Sequence, residues 1–289
     1  MIIIGCSRSR GLARKISKRI DTEYSDLEVN KFPDGELYVK FNTEIKNKEV
    51  VLVQSLNNPN EAILEVIFAA HTAKDLGAKK IILVVPYLAY MRQDKRFNSG
   101  EAITSKIIGK LFNVFDKIIT IDPHLHRYKN LNEVFSIKTE KLSTIDLIGE
   151  YIKNNIKNAF IIGPDMESYQ WAETIAKSIN CPFTILKKER INSKKVNITI
   201  NSKLNIKNKN IVMIDDIIST GQTILKTIDM IKKQNPKSIN IVCVHGIFSD
   251  QETYKKLSEY KIITTNTIET KHSKIDVSEL IANSLKSPK

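Results

Sequence analysis

An apolar run, Ile211-Val212-Met213-Ile214, leads directly into Asp215-Asp216 and then into Ile217-Ile218-Ser219-Thr220-Gly221-Gln222-Thr223. A small, hydroxyl-bearing turn that opens a helix aims several backbone N–H groups at one point beside the positive end of the helix dipole. That is the chemistry of a phosphate cradle. Asp215 and Asp216 stand where the hydroxyls of a sugar carried on such a phosphate would project. The plainer alternative is an N-cap turn with surface carboxylates, but two adjacent acids directly after a buried strand are costly unless something uses them. Two other apolar runs end in an acid, at Ile121-Asp122 and at Gly163-Pro164-Asp165. The carboxyl ends of strands in an open parallel sheet line the crevice where ligands bind, so all three sites are placed to meet a ligand or its metal.

Four further segments carry usable side chains. Phe32-Pro33-Asp34-Gly35-Glu36 reads, on its dipeptide chemistry, as a tight turn between strands. Arg92-Gln93-Asp94-Lys95 follows an apolar run that ends at Pro86; Arg92 offers a planar fork for phosphate oxygens, or forms a surface ion pair with Asp94. His124 and His126 stand just after Asp122, and the lack of a third soft ligand at suitable spacing argues against zinc. Lys187-Lys188-Glu189-Arg190 opens a lysine-rich stretch that composition alone makes a charged loop.

The elements that must position these residues are legible as short Ile- and Val-rich runs at 2–4, 50–56, 81–86, 118–121, 160–162, 183–186, 211–214 and 239–244. These read as buried strands. Stretches of helical period lie between several of them: Ile63, Val66, Ile67, Ala70 and Ala73 within 61–76, and Ile224, Ile228 and Ile231 within 223–233. Gly77 closes the first and Asn235-Pro236 stops the second. The alternation predicts an α/β protein with mostly parallel sheets. An irregular polar segment at 141–144, before a helix at 145–156, marks the expected domain junction, and a repeated half-chain architecture is compatible with the pattern.

The 289 residues suit about two domains, and 42% hydrophobic with 27% charged residues is ordinary globular chemistry, which excludes a fibre or a disordered chain. The longest nearly unbroken apolar stretch, 81–91, is too short for a membrane span and contains Pro86; no secretion signal is read at the start. Cys6, Cys181 and Cys243 are odd in number and far apart, which suits reduced thiols in a cytosol. The formal charge of +13 is scattered rather than gathered into a basic tail. It favours attraction of polyanionic small molecules and gives no nucleic-acid motif.

The 215–223 segment resembles the phosphoribosyl diphosphate loop of type I phosphoribosyltransferases. The other segments resemble, in the same order along the chain, motifs of ribose-phosphate diphosphokinases: F-x-D-G-E at 32–36, R-Q-D-K at 92–95, D-x-H at 122–124, P-D at 164–165 and K-x-R at 188–190. The resemblance implies two phosphoribosyltransferase-like domains, each a mostly parallel sheet flanked by helices: a nucleotide-binding domain at 1–143 and a ribose-5-phosphate-binding domain at 144–289. It implies transfer of the β,γ-diphosphoryl group of ATP to the 1-hydroxyl of ribose 5-phosphate, giving 5-phosphoribosyl 1-diphosphate and AMP.

The same resemblance implies residue roles. Phe32, Asp34, Gly35, Glu36, Arg92, Gln93, Asp94 and His124 would bind ATP; Asp165, Arg190, Asp215, Asp216, Ser219, Thr220, Gly221, Gln222 and Thr223 would bind ribose 5-phosphate. Lys188 and Arg190 would be the catalytic cations of a mobile loop, and His124 and Asp165 would hold Mg2+. A cytoplasmic homodimer or larger homo-oligomer is expected, with the 32–36 loop donated by a neighbour and neither nucleic acid nor membrane as partner. Glu167-Ser168 departs from the family's common Gly-Gly, with Ser168 expected to cap a helix at 169–179, and Gln222 replaces a frequent glycine. A transferase that consumes the activated sugar would explain only 215–223; a non-catalytic homologue would be expected to have lost Lys188 and Arg190.

Overall fold

The computed structural model describes residues 1–164, 168–185, 187–192, 195–199 and 206–286, the strands at 187–192 and 195–199 through their backbone. The chain divides into two compact units. The first comprises Met1–Ser143, Thr267–Glu269 and the chain from Asp276 onward; the second comprises Thr144–Asn266 and Thr270–Ile275. A single cut at 143/144 therefore does not describe the chain, because its end returns to the first unit.

In the first unit β1 (Ile2–Gly5), α1 (Arg10–Ile20), β2 (Glu23–Lys31), β3 (Leu37–Phe41), β4 (Glu49–Val53), α2 (Pro59–Asp75), β5 (Lys80–Val85), α3 (Thr104–Leu111), β6 (Lys117–Ile121) and β7 (Lys138–Leu142) follow one another. The sheet order is β3-β2-β1-β4-β5-β6-β7, and every pairing except β2 with β3 is parallel. The inner strands are buried along almost their whole length, as expected where helices cover both faces of a parallel sheet. β2 is different: Glu23 to Asp26 pair with β1, whereas Leu27 to Lys31 pair only with β3. Its polar residues hid it from hydrophobic patterning, since only Leu27 is buried. β7 likewise runs through part of the segment expected to be irregular; as an edge strand with only Leu142 buried, it needs no apolar run.

The second unit contains α4 (Ile145–Asn155), β8 (Ala159–Gly163), α5 (Tyr169–Ser178), β9 (Phe183–Ile185), β10 (Lys187–Asn192), β11 (Lys195–Thr199), β12 (Asn210–Ile218), α6 (Gln222–Lys232), β13 (Ser238–Gly246), α7 (Gln251–Leu257), β14 (Lys261–Thr265) and β15 (Ser273–Ile275). Its parallel sheet has the order β15-β14-β13-β12-β8-β9, and β10 and β11 form a separate antiparallel hairpin. In both sheets the first strand sits inside: β1 has β2 and β3 on one side and β4 to β7 on the other, and β8 has β9 on one side and β12 to β15 on the other. Ile224, Ile228 and Ile231 of α6 are buried with Ile211 and Met213 of β12 in one core, the face that helical spacing predicted. Gly77 and Asn235 adopt left-handed conformations (φ 79° and 50°) beyond the ends of α2 and α6, as the caps required. Ser168 stands at the N-cap of α5 but in helical backbone (φ −78°, ψ −3°), not the extended conformation usual for a side-chain cap.

Helix α8 (Ser278–Lys286) packs on α1 within the first unit. Lys15 pairs with Asp276 at 3.0 Å, Arg19 donates to Ser278 Oγ at 2.8 Å and pairs with Glu279 at 3.1 Å, and Lys286 donates to the Arg19 carbonyl at 2.9 Å. Beneath these surface links Ile281 is fully buried. Among the described residues no helix is long and apolar enough to cross a membrane. Core burial outweighs exposed ion pairing. Ile281→Ala should lower stability by about 3 kcal/mol in urea unfolding, with Arg19→Ala causing a much smaller change.

Candidate active site

The second unit's sheet changes winding direction between β8 and β12, and the register shows how a crevice opens there. Pairing of β12 with β8 runs from Asn210–Ala159 to Met213–Ile162, whereas pairing with β13 continues to Ile218–Gly246. Asp215 and Asp216 therefore lie inside β12 rather than after it, held by β13 on one side and beyond the β8 pairing on the other. Both are half-buried. The Asp215 carboxylate accepts from the Asp216 N–H at 3.0 Å, and that of Asp216 from the Ile217 N–H at 2.7 Å, which orients each acid without burying it.

Ser219 and Thr220 then turn the chain, and Gly221 (φ 80°, ψ 0°) is the N-cap of α6. The left-handed conformation favours glycine, and a Cβ at Gly221 would lie 2.5 Å from Leu257 Cδ1 and 3.3 Å from Thr253 Cγ2 of α7. Gly221 has no side chain with which to cap α6, so most of the helix's first N–H groups are left to the turn. Thr220 Oγ1 is 3.4 Å from the Gln222 nitrogen, and Gln222 Nε2 is 3.4 Å from Asp250 Oδ2.

The segment after β13 buttresses this turn, a role that motif reading missed. The N–H groups of Ile247 and Phe248 donate to the Ile218 carbonyl at 3.0 and 3.2 Å, and that of Ser249 to the Ser219 carbonyl at 2.9 Å. Phe248 holds φ 50°, uncommon for a bulky residue, with its ring buried against Tyr254. Asp250 caps α7 and also accepts from Thr253 Oγ1 at 2.8 Å; these bonds, with Gln222 beyond them, hold its carboxyl below the usual range. The aspartate immediately before the polar helical run Gln251–Leu257 was the available sequence signal. Cys243, opposite Asp215 in the ladder, is fully buried; burial first and the Asp215 charge second push its thiol far up, so it is no nucleophile.

Asp165 lies outside the described residues. Lys188 and Arg190 are in β10, opposite Ile198 and Val196 of β11, so the expected charged loop is, in its backbone, a β-hairpin with a register irregularity between Arg190 and Asn192.

In the first unit the hairpin β2–β3 carries 32–36 at its tip. The Phe32 N–H donates to the Glu36 carbonyl and the Gly35 N–H to the Phe32 carbonyl, both at 2.9 Å, with Gly35 at φ 97°. Asp34 Oδ1 accepts from the Glu36 N–H at 3.2 Å. The tight turn expected from dipeptide chemistry is present, and it displays rather than buries its functional groups: Phe32 is 51% exposed, touching Tyr38 edge-on at 6.1 Å.

Arg92 and Gln93 follow β5, and His124 follows β6, at the carboxyl ends of neighbouring strands. Arg92 is exposed and Gln93 half-buried. Asp94 is turned inward: its side chain is 1% exposed and paired with Arg127 at 2.7 Å, in place of the Arg92–Asp94 surface pair considered from sequence. Asp122 is buried at φ 37°, and the His124 and His126 rings meet edge-to-face at 3.7 Å. Among the described residues no group of three or more His, Cys, Asp or Glu could hold a metal.

An α/β protein of two mostly parallel sheets with a glycine-capped turn opening a helix at a switch point is of the phosphoribosyltransferase type. The crystal structure of phosphoribosylpyrophosphate synthetase from Mycobacterium smegmatis has the same fold, with a TM-score of 0.84 over 99% of this chain and 97% of that one at 22% identity. The family described as the N-terminal domain of ribose phosphate pyrophosphokinase matches residues 1–115, and the phosphoribosyl transferase domain matches 130–281. Ribose-phosphate pyrophosphokinase of Methanobrevibacter smithii is 35% identical over 99% of this chain and 100% of its own length; that of Methanothermobacter thermautotrophicus is 34% identical with the same coverage. The chain belongs to the ribose-phosphate pyrophosphokinase family.

The geometry of the turn makes a direct prediction. Gly221→Ala combines a left-handed backbone with a clash against Leu257, and should cost about 2–4 kcal/mol in urea unfolding. Gly221→Asn tolerates the φ and should still lose stability through the clash.

Proposed function

We propose that this protein is a ribose-phosphate diphosphokinase: it transfers the β,γ-diphosphoryl group of ATP to the 1-hydroxyl of ribose 5-phosphate, producing 5-phosphoribosyl 1-diphosphate and AMP. The observation that carries the reading is the turn at 219–223, opening α6 at the switch point of its sheet with Asp215 and Asp216 beside it. Relatives named for this activity match over the full chain, which favours it over a transferase that only consumes the product.

The N–H groups of 219–223 would hold the 5-phosphate while Asp215 and Asp216 accept from ribose hydroxyls. Arg92 and Gln93 would bind the triphosphate and nucleotide, and Phe32, Asp34, Gly35 and Glu36 would receive the base. The 1-hydroxyl oxygen attacks the β-phosphorus and gives up its proton to solvent, the bond from that phosphorus to the oxygen bridging the α-phosphate breaks, and AMP leaves with the electron pair. Negative charge grows on the bridging and equatorial oxygens, and preorganised cations at those points lower the barrier. Lys188 and Arg190 are the residues assigned to that task.

Mg2+ takes oxygen ligands, keeps part of its water, and is usually bound through one or two carboxylates plus substrate phosphates. The scattered acids and the absence of a three-ligand cluster among the described residues fit an ion that arrives on ATP rather than one caged by protein. His124 and Asp165 would hold it, and when bound it offsets charge on the triphosphate. The Phe32 ring, 51% exposed at the hairpin tip and touching Tyr38 edge-on, supports donation of the 32–36 turn to a neighbouring copy in a homodimer or larger assembly. The three free thiols support a cytoplasmic setting.

AMP release from ATP that requires ribose 5-phosphate tests the reaction; release independent of the sugar phosphate would sink it. Lys188→Ala should lower kcat by at least about 10²-fold with ribose 5-phosphate affinity little changed. Asp215→Ala should weaken ribose 5-phosphate binding in calorimetry; unchanged affinity would make the acid pair structural.

A further inference from the structure

We infer that Arg127, with Tyr128 beside it, is a positioning residue for the nucleotide segment 92–94, fixing Arg92 and Gln93 by clamping the buried Asp94. The inference rests on the reading of Arg92 and Gln93 as ATP ligands. Arg127 lies three residues beyond His124, so one short stretch of chain both presents His124 and reaches back to the neighbouring loop.

The clamp has several parts. Arg127 Nη1 donates to Asp94 Oδ1 at 2.7 Å, across a pair in which the acid is 1% and the arginine 46% exposed. The Tyr128 hydroxyl donates to the Asp94 carbonyl at 3.1 Å and shares a hydrogen bond of 2.9 Å with Ser105 Oγ. Ser105, in the first turn of α3, donates its N–H to the Gln93 carbonyl at 3.4 Å, and its Oγ lies 3.3 Å from the same oxygen. The Arg127 guanidinium also lies 5.2 Å from the centroid of Phe97, whose ring carries the Lys95 ammonium at 5.3 Å. Farther along, Glu101 accepts from the N–H groups of Phe97 and Asn98 at 2.8 and 3.1 Å and closes the loop.

A carboxylate this buried has no access to a ligand in solvent, so Asp94 acts on the nucleotide only through the backbone it anchors. Its burial is tolerable because a cation accompanies it; without Arg127 an unpaired charge remains below the surface, and the segment shifts to hydrate it. Arg92 and Gln93 move with it. Displacements near 1 Å in substrate-positioning residues are enough to cost up to about 10²-fold in catalysis. The planar arginine fork both pairs with Asp94 and lies over Phe97, which a lysine reproduces only in part.

ATP binding by the full-length protein should be titrated calorimetrically for wild type, Arg127→Gln, Arg127→Lys, Asp94→Asn and the double variant Asp94→Asn/Arg127→Gln, alongside KM for each substrate. Arg127→Gln should weaken ATP binding about tenfold with KM for ribose 5-phosphate unchanged. Arg127→Lys should recover part of the loss. The double variant, which carries no buried charge, should fold and bind ATP no more weakly than Arg127→Gln alone. Wild-type ATP affinity in Arg127→Gln and the double variant, with only a lowered Tm, would reduce the pair to a structural contact. Equal loss of both substrates would also overturn the inference. Failure of the activity reading would show separately, as wild-type AMP release indifferent to ribose 5-phosphate, while ATP titration still reports on Arg127.

Discussion

Everything at the candidate site of the second unit depends on a register: β12 leaves its pairing with β8 at Met213 but stays with β13 to Ile218. Parallel strands satisfy their backbone groups only while a neighbour runs beside them, so the last residues of β12 face a crevice on one side and a ladder on the other. Charged side chains become tolerable there because water or ligand reaches them, whereas Ile211 to Ile214 in the same strand are fully enclosed. One strand thus supplies first a core and then a binding edge.

Rigidity is added where the chain is least regular. The 219–223 turn is gripped from below by the backbone of Ile247, Phe248 and Ser249, and Gly221 lets α7 approach closely enough that no side chain fits between. In the first unit Glu65, buried in α2, accepts from the Ser7 N–H at 2.8 Å, from Ser7 Oγ at 2.5 Å and from Gln54 Nε2 at 2.8 Å, tying together the loops after β1 and β4. In these cases the polar groups of a strand-end loop are satisfied by a neighbouring segment rather than by water. Loops preorganised in this way lose less entropy when a phosphate or nucleotide arrives. The net positive charge acts earlier, by concentrating polyanions near the surface, and distinguishes no particular binding geometry.

Much of the architecture was legible from patterning because the inner strands of both sheets are enclosed on two faces and must be continuously apolar. The helix faces at Ile63, Val66, Ala70 and Ala73 and at Ile224, Ile228 and Ile231 follow from the same burial, whereas Ile67, expected on the first face, is only half-buried. Four strands at or next to the sheet edges escaped it, whereas β9, an edge strand too, was legible as the run at 183–186. β2, β3, β7 and β15 satisfy backbone groups by pairing while one side meets solvent, so their sequences need no apolar run. β10 and β11 pair in the stretch that composition read as a charged loop. β14, Lys261-Ile262-Ile263-Thr264-Thr265, carried a readable signal that was passed over.

For the site the division is physical. Residue type and order along the chain were enough to single out Asp215, Asp216 and the 219–223 turn, the hairpin tip at Phe32, and the Arg92–Gln93 and His124 segments as candidates, because a glycine-bearing turn and a guanidinium fork are local chemistry. Tertiary structure alone decided that Asp94 points inward to Arg127, that Phe248 and Asp250 brace a turn some thirty residues earlier in the chain, and that the chain from Asp276 onward returns to the first unit. Those outcomes turn on which distant segment comes to share a buried volume, and a charge or an aromatic ring carries no mark of its partner until the sheet has brought the two together.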